Sequence, residues 1–347
     1  MPLTGGAGGL SRNERETTAM RRLILPLLII SCPNVASRAA TAPAFVTKWG
    51  SYGTAAGQFL YPLGLAVGPD GSVYVADHSA SRVQKFFNDG AFALQWGSSG
   101  SGGGQFDGLM DIAVDGGGNV FTLEDANQRV QKFTSGGGYV TKWGSYGTCD
   151  GYFSGPSGIG VDGMGFVYVA DDGNRRIQKF TGSGSFVTKW GSWTDPCAPG
   201  DWQDDWLYPT DVAGDLTGRV FVAAAHSVRV YSGAGDLLTV WGGPAGSGPG
   251  QFYYPHGVAA DAAGQVYVAD MGNNRIQILS SSGVFLTQVG SFGTGDGQFN
   301  QPTSVAVDAQ GNMFVLDTGN HRIQKFSGAG PTPAIRTTFG RIKARYR

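Results

Sequence analysis

Charge and cysteine are scarce in this sequence of 347 residues. Only 15% of the residues are charged, the net charge is -1, and there are three Cys and four His. A chain without excess positive charge has no overall attraction to nucleic acid or to an anionic membrane surface. The three Cys form no Cys-x-x-Cys pair, so the usual signature of a structural zinc site is missing.

Long apolar runs are also missing. The run LILPLLII at residues 23–30 is too short for a membrane-spanning helix, which needs roughly 20 apolar residues. It follows Met20-Arg21-Arg22 and precedes several small residues, which is the pattern of an export signal. We expect translation to start at Met20, residues 1–43 to form the signal and a short linker, and the protein to be secreted, periplasmic or at the cell surface. A cleaved secretory peptide, a lipoprotein acylated at Cys32 and an uncleaved anchor all remain open.

Glycine and aromatic residues are abundant instead, and they recur in one repeated unit. The chain has 58 Gly, and the hairpin VYVADDGNRRIQKF at residues 167–180 occurs in six variants with a period near 47 residues. The first unit predicts four strands, at residues 63–67, 73–76, 82–86 and 93–96. Four short antiparallel strands per repeat must stack on their neighbours around an axis. The sequence therefore predicts an all-β, six-bladed β-propeller at residues 44–340, followed by a basic, solvated tail at 341–347.

The repeat resembles a known family. The pattern Pro-x-Gly-Val-Ala-x-Asp at residues 255–261, Val-Tyr-Val-Ala-Asp at 266–270 and Gly-Asn-x-Arg-Ile-Gln at 272–277 is similar to the NHL repeat. The resemblance covers all six units and implies a six-bladed NHL propeller of a bacterial exported type. Relatives that bind RNA use a basic face, and others are ubiquitin ligases through a separate RING domain. The near-neutral charge and the lack of paired Cys fit neither activity.

Two features leave alternatives open. Residues 44–50 and 334–340 have the same form, so either segment can supply the outer strand of the last blade; we favour the N-terminal one because it keeps the Trp. Cys149 and Cys197 lie at similar places in adjacent repeats, and export makes a disulfide between them feasible. Two free thiols are the other interpretation.

Acidic and basic residues of the hairpins are placed to pair within each blade. Each Arg follows an Asp by four or five residues across one turn, which allows a hydrogen-bonded ion pair. The expected pairs are Asp77–Arg82, Asp125–Arg129, Asp171–Arg175, Asp270–Arg275 and Asp317–Arg322. These repeated charges are therefore interpreted as structural rather than functional.

Candidate ligand-binding residues concentrate in the fourth unit, which departs most from the repeat. Aromatic and acidic side chains suit sugars, cationic groups or calcium, although the same residues also occur in loops without ligands. The candidates are Trp193, Trp202, Asp201, Asp204, Asp205 and His226.

A second set of candidates lies at the predicted channel mouth. Asp111, Asp211 and His256 are the ionisable residues near the starts of the inner strands, so together they could hold calcium or zinc. Related peptidyl-hydroxyglycine lyases are zinc propellers with three His, but the His here occupy non-equivalent positions, and no triad transfers.

The sequence favours a binding scaffold over an enzyme. We expect an extracellular protein, peptide or glycan as the partner, no nucleic acid, a monomer, and no cofactor unless a divalent cation binds. Membrane contact is expected only through the signal or a lipid anchor. The alternative is a metal-dependent lyase or hydrolase with its site at the channel mouth.

Overall fold

The computed structural model describes residues 41–191 and 208–328. In these residues, 24 strands form six separate four-stranded antiparallel sheets. None of the helices in these ranges has the length and hydrophobicity needed to cross a bilayer. The sheets are the six blades of a β-propeller, as the repeat predicts.

The first strand of the described chain, β1 (Phe45–Trp49), precedes the regular units. Blades 1 and 2 contain β2 (Pro62–Val67), β3 (Val73–Asp77), β4 (Arg82–Phe86), β5 (Phe92–Trp96), β6 (Leu109–Val114), β7 (Val120–Glu124), β8 (Arg129–Phe133) and β9 (Tyr139–Trp143). Blades 3 and 4 contain β10 (Pro156–Val161), β11 (Val167–Asp171), β12 (Arg176–Phe180), β13 (Phe186–Trp190), β14 (Pro209–Gly214), β15 (Val220–Ala224), β16 (Ser227–Tyr231) and β17 (Leu237–Gly242). Blades 5 and 6 contain β18 (Pro255–Ala260), β19 (Val266–Asp270), β20 (Arg275–Leu279), β21 (Phe285–Val289), β22 (Pro302–Val307), β23 (Met313–Asp317) and β24 (Arg322–Phe326).

The ring is closed by its N-terminal strand. β1 pairs antiparallel with β24, with Trp49 opposite Ile323, and so completes blade 6 as its outer strand. This confirms the favoured closure. The competing segment at residues 334–340 lies outside the described residues.

The hydrophobic core lies between adjacent blades. Trp49 of β1, in blade 6, packs against Phe314 of its own blade and Phe86 of blade 1. Gly90 lies against the same indole, and a Cβ atom at this glycine would come within 2.7 Å of the ring. Since a blade buries both faces only against its neighbours, the stability of each blade depends on the whole ring.

A buried charged group fastens each of five blades to the loop before it. In blade 6, Arg322 Nε donates to Asp317 at 2.7 Å, and the guanidinium also donates to the carbonyls of Thr294, Gly295 and Gln298. Equivalent pairs are Asp77–Arg82, Glu124–Arg129, Asp171–Arg176 and Asp270–Arg275. These charges are satisfied internally, which supports their structural interpretation.

Two of the expected ion pairs were wrong. Asp171 pairs with Arg176, not Arg175, because Arg175 has φ +53° and only ends the short 3₁₀ turn before the strand begins. Arg129 pairs with Glu124, not Asp125, because the Glu occupies the last position of its strand, where the other units have Asp.

Candidate functional site

The inner strands of the blades surround a channel that has two chambers. The wider chamber has a volume of about 150 Å³, and the narrower chamber, toward the starts of the strands, has about 10 Å³. The side chains at the strand starts line the narrow chamber, as the sequence predicts; they are Leu63, Met110, Ser157, Thr210, His256 and Thr303. Asp111, Asp211 and Ser304 border both chambers.

Asp111 and Asp211 meet in the channel. Their carboxyl groups are in hydrogen-bonding contact. Each also accepts a backbone N–H from the next blade, Asp111 from Ile159 at 2.9 Å and Asp211 from Val258 at 2.8 Å. Burial raises the pKa of Asp111 to about 7, and burial, followed by the charge of Asp111, raises the pKa of Asp211 well above its usual value. The pair therefore holds a shared proton near neutral pH.

The residues that follow the strand starts alternate around the ring. Odd-numbered blades have glycine and even-numbered blades have a polar side chain; the six are Gly64, Asp111, Gly158, Asp211, Gly257 and Ser304. A Cβ atom on Gly158 would lie 2.5 Å from the Cα of Asp211, and one on Gly64 would lie 2.7 Å from the Cα of Asp111. The inner strand that carries each aspartate can lie this close because the facing residue on the preceding inner strand is a glycine without a side chain.

His256 lines the narrow chamber together with the aspartates, and its side chain bonds to the backbone. Its Nδ1 lies 3.0 Å from the carbonyl oxygen of Thr303, so Nδ1 carries the proton and donates. Burial lowers the pKa of His256 and keeps the ring neutral. Within residues 41–191 and 208–328, no group of three or more His, Cys, Asp or Glu side chains could hold a metal ion. The calcium or zinc site and the lyase or hydrolase alternative therefore gain no ligand set from this part of the chain.

One bond recurs between hairpin turns and the residue preceding the proline of the next inner strand. In these bonds, a side chain on the turn accepts the backbone N–H of that residue. The acceptor and donor residues are Gln128 and Gly155, His226 and Tyr254, and Asn274 and Gln301. In blade 4, Nδ1 of His226 takes the place of the amide oxygens of Gln128 and Asn274. This nitrogen therefore carries no proton, because it accepts the bond.

An exposed aromatic cluster surrounds His226. The mouth cluster consists of His226, Tyr253 and Tyr254: the imidazole stacks on Tyr253 at 5.6 Å and meets Tyr254 edge-on at 4.8 Å. The two tyrosines are 43% and 54% exposed. Tyr208, 54% exposed, lies at the same position one blade earlier, with the Arg175 guanidinium 5.8 Å from its ring centre.

Two of these tyrosines have a backbone conformation that favours glycine. Tyr208 has φ +70° and Tyr254 has φ +50°, while blades 2 and 3 have Gly108 at +66° and Gly155 at +54° in the same place. A non-glycine residue in the left-handed region costs roughly 1–2 kcal/mol. Gln301 has φ +53° at the same position of blade 6, so three blades accept this cost, and in two of them the residue is a tyrosine.

The rest of the mouth carries polar residues and one further tyrosine, Tyr61, which is 46% exposed and meets His78 edge-on at 6.3 Å. Residues that follow the last position of the second strand in blades 1, 2 and 3 are His78, Asp125 and Asp172. His78 Nδ1 lies 3.0 Å from the carbonyl of Leu109. Burial raises the pKa of Asp172 to about 6 against the opposing charge of Arg175, and one of its carboxylate oxygens is buried without a hydrogen bond. The mouth thus combines exposed tyrosines in blades 1, 4 and 5 with carboxylates in blades 2 and 3.

The other predicted site residues fall mainly outside the described ranges. Trp193, Asp201, Trp202, Asp204, Asp205, Cys197 and Cys32 lie there. Cys149 is exposed and free in the structure, and its pairing with Cys197 stays a prediction. Of the candidates in the fourth unit, His226 is the one that the structure describes.

Sequence reasoning missed Tyr208, Tyr253 and Tyr254. The available signal was the position before the inner-strand proline, where two other units have glycine. The residues at this position of the six units are Tyr61, Gly108, Gly155, Tyr208, Tyr254 and Gln301, so tyrosine recurs in three of them.

Comparisons with known proteins agree with the fold. The model of the NHL repeat matches residues 59–86, 153–180, 252–279 and 299–326. A comparison with curated proteins finds no match.

Several solved structures share the architecture. One is a protein of unknown function from Bacteroides thetaiotaomicron, at 16% identity and a TM-score of 0.60 over 81% of this chain and 76% of that one. An auxiliary nutrient binding protein from the same organism has 15% identity and a TM-score of 0.58 over 78% and 69%. A streptogramin B lyase has 15% identity and a TM-score of 0.55 over 81% and 96%. At these identities the likeness concerns the fold alone.

Proposed function

Because the chain is a six-bladed β-propeller built from NHL repeats, we propose that it is an exported binding scaffold. Its ligand, a protein or peptide segment, binds at the channel mouth beside the aromatic cluster. Export rests on the basic residues before the apolar run at 23–30. The fold alone does not select a ligand, since propellers serve many functions.

The observation that carries the proposal is the pair of strained, exposed tyrosines. Tyr208 and Tyr254 take a conformation in which glycine costs less, as Gly108 and Gly155 do in other blades. Strained residues cluster where structure serves recognition. Gly108, Gly155 and Gln301 occupy this position in other blades, so the repeat does not require a ring there and the exposed rings are available for recognition.

The chemistry of the mouth favours a peptide. Tyrosine offers rigid, amphipathic contact area with little loss of side-chain entropy, and Tyr253 and Tyr254 present it in two orientations. Across the mouth, Asp125 and Asp172 can accept hydrogen bonds or pair with a basic side chain. A peptide provides apolar, amide and charged groups together, which this combination of surfaces suits.

A ligand search followed by a matched substitution tests the proposal. The purified protein is screened against a displayed peptide library and a glycan array, and the tightest binder is measured by calorimetry. Tyr254→Gly restores the residue type found in blades 2 and 3. We expect this variant to keep or raise the melting temperature, because strain is relieved, and to weaken binding by about tenfold or more, as for loss of one buried aromatic contact.

Two controls separate recognition from folding. His226→Asn keeps an acceptor for Tyr254 N–H, as Asn274 does for Gln301, but removes the stacked ring; we expect intermediate weakening. Tyr139→Ser changes an exposed tyrosine on an outer strand and should leave binding unchanged. If the screens yield only glycans, the ligand is a sugar and the peptide proposal is wrong. If Tyr254→Gly binds as tightly as the wild type, the proposed site is wrong.

A further inference from the structure

The outer strand of blade 4 lacks the polar residue that the other outer strands share. The residue before the final Trp or Val of each of those strands is polar; these residues are Lys48, Gln95, Lys142, Lys189 and Gln288. In β17 this position is Val240, which pairs with Arg229 just as Lys189 pairs with Gln178. β17 is the one outer strand among the described residues with neither a charge nor a Gln.

The apolar side chains of β17 are in contact with solvent. Leu238 is 54% exposed, and Leu237 and Val240 are each 44% exposed. In blades 6 and 3 the equivalent lysines are engaged elsewhere: Lys48 pairs with Asp296 and Lys189 pairs with Asp150. β17 is the last strand of its sheet among residues 41–191 and 208–328, and its edge there is uncharged and exposed.

Such an edge is a template for another strand. Proteins normally protect edge strands with charged residues, especially lysine, and an exposed apolar edge tends to acquire a partner. Of the five other outer strands, β1, β9 and β13 have a lysine at this position, and β5 and β21 have a glutamine. β17 alone has an apolar residue, Val240, at this position, so its edge is the surface at which the propeller can associate with another strand.

We propose that β17 pairs antiparallel with β17 of a second copy of this chain. A twofold axis makes the same segment face itself, and pairing centred on Thr239 places Leu238 of one copy opposite Val240 of the other. The same arrangement at β9 would place Val140 opposite Lys142. The same pairing at β5 and β21 would place an apolar residue opposite Gln95 or Gln288. Among the outer strands, β17 alone brings two apolar side chains together, which argues for a second copy at this edge.

The dimer leaves the proposed binding function intact. β17 is the strand farthest from the channel in its sheet, whereas the inner strand β14 borders the channel. Two joined propellers present two channel mouths, which can raise avidity for a ligand that repeats. This association would replace the monomer expected from the sequence, and it does not depend on the nature of the ligand.

Sedimentation velocity on the full chain over a range of concentrations tests the proposal. We expect a monomer–dimer equilibrium in the wild type. Val240→Lys reproduces the residue of β1, β9 and β13 and should raise the dissociation constant at least about tenfold, because two copies bring two lysines into the pairing. Val187→Lys, at a valine of β13 that is also 44% exposed, should leave the constant unchanged.

Hydrogen exchange identifies the surface involved. Amides of residues 237–242 should gain protection as wild-type concentration rises, and Val240→Lys should abolish that gain while its melting temperature stays within a few degrees of wild type. A wild type that stays monomeric at all concentrations, or a dimer that Val240→Lys and the exchange pattern both leave unaffected, would overturn the proposal.

Discussion

At the scale of single residues, repetition separates structural charges from those free to serve recognition. The carboxylate, Arg and Gln of the hairpin recur in five blades and bond to the same loop carbonyls, as Arg322 and Gln324 do with Gln298. Side chains that break the repeat are different. Tyr254 and His226 occupy places where glycine or an amide suffices, so their chemistry is available for a ligand.

The carboxyl pair in the channel makes a pH prediction. The pKa of Asp111 is raised from 3.8 to about 7, so the folded protein keeps a proton that the unfolded chain releases between about pH 4 and pH 7. That contribution to stability is present below pH 4 and is lost as the pH rises through 7. Asp111→Asn mimics the protonated group, since its oxygen can accept from Ile159 and its amide can donate to Asp211.

We expect Asp111→Asn to be more stable than the wild type at pH 8 by roughly 2–4 kcal/mol. At pH 4 the difference should be much smaller. Urea unfolding of both proteins at several pH values measures it, and subtracting the two curves leaves the titration of Asp111 together with that of Asp211, whose pKa depends on the charge of Asp111. An advantage that is the same at pH 4 and pH 8 would mean that the pair does not hold a shared proton.

At the scale of elements, β1 ties the two ends of the ring together. It pairs with β24, and Trp49 joins blade 6 to blade 1 by packing on Phe86 and Phe314. Without β1, the outer face of β24 and the core between the two blades would be exposed. Closure is thus a long-range contact between segments nearly 280 residues apart, and the whole ring depends on it.

Deletion of residues 44–50 should therefore destabilise the propeller strongly. Loss of the buried part of the Trp side chain alone typically costs about 3–5 kcal/mol, and the lost strand pairing adds to this. Differential scanning calorimetry of the deletion variant and of Trp49→Ala measures both. Retention of the wild-type melting temperature would show that another segment takes the place of β1.

The strands were largely predictable because each hairpin is local and occurs six times. The third strand of the first unit, residues 82–86, is observed at its predicted bounds, and the first begins one residue earlier, at Pro62. The ion pairs of blades 2 and 3 were predicted wrongly because their spacing was taken as four residues. In all five blades the carboxylate and its Arg are five residues apart, so Arg176 rather than Arg175 reaches Asp171.

The candidate site was harder to predict than the fold. Asp111 and Asp211 were expected near one another because the repeat places both near the starts of inner strands. Their shared proton follows from burial and close approach, which spacing does not reveal. The mouth cluster depends on how neighbouring blades meet, so its stacked rings could not be inferred from either blade separately.

At the scale of the whole molecule, six similar blades become distinct through small departures. Glycine and polar residues alternate around the inner strands, and tyrosine and phenylalanine alternate in the second strands, with Tyr74, Tyr168 and Tyr267 in odd-numbered blades. The ring therefore has an approximate threefold pattern of blade pairs. Blade 4 departs from the other even-numbered blades at its hairpin and at its outer strand, the two surfaces to which we assign association with other molecules.

The most direct test of the binding account is a hydrogen-exchange footprint with the tightest peptide selected from the displayed library. We predict that adding the peptide slows amide exchange at the mouth cluster and at the facing turn, in segments 225–226, 253–254 and 172–175. Protection confined to the outer strands, or to the turns on the opposite face of the ring, would contradict the assignment of the channel mouth as the binding site.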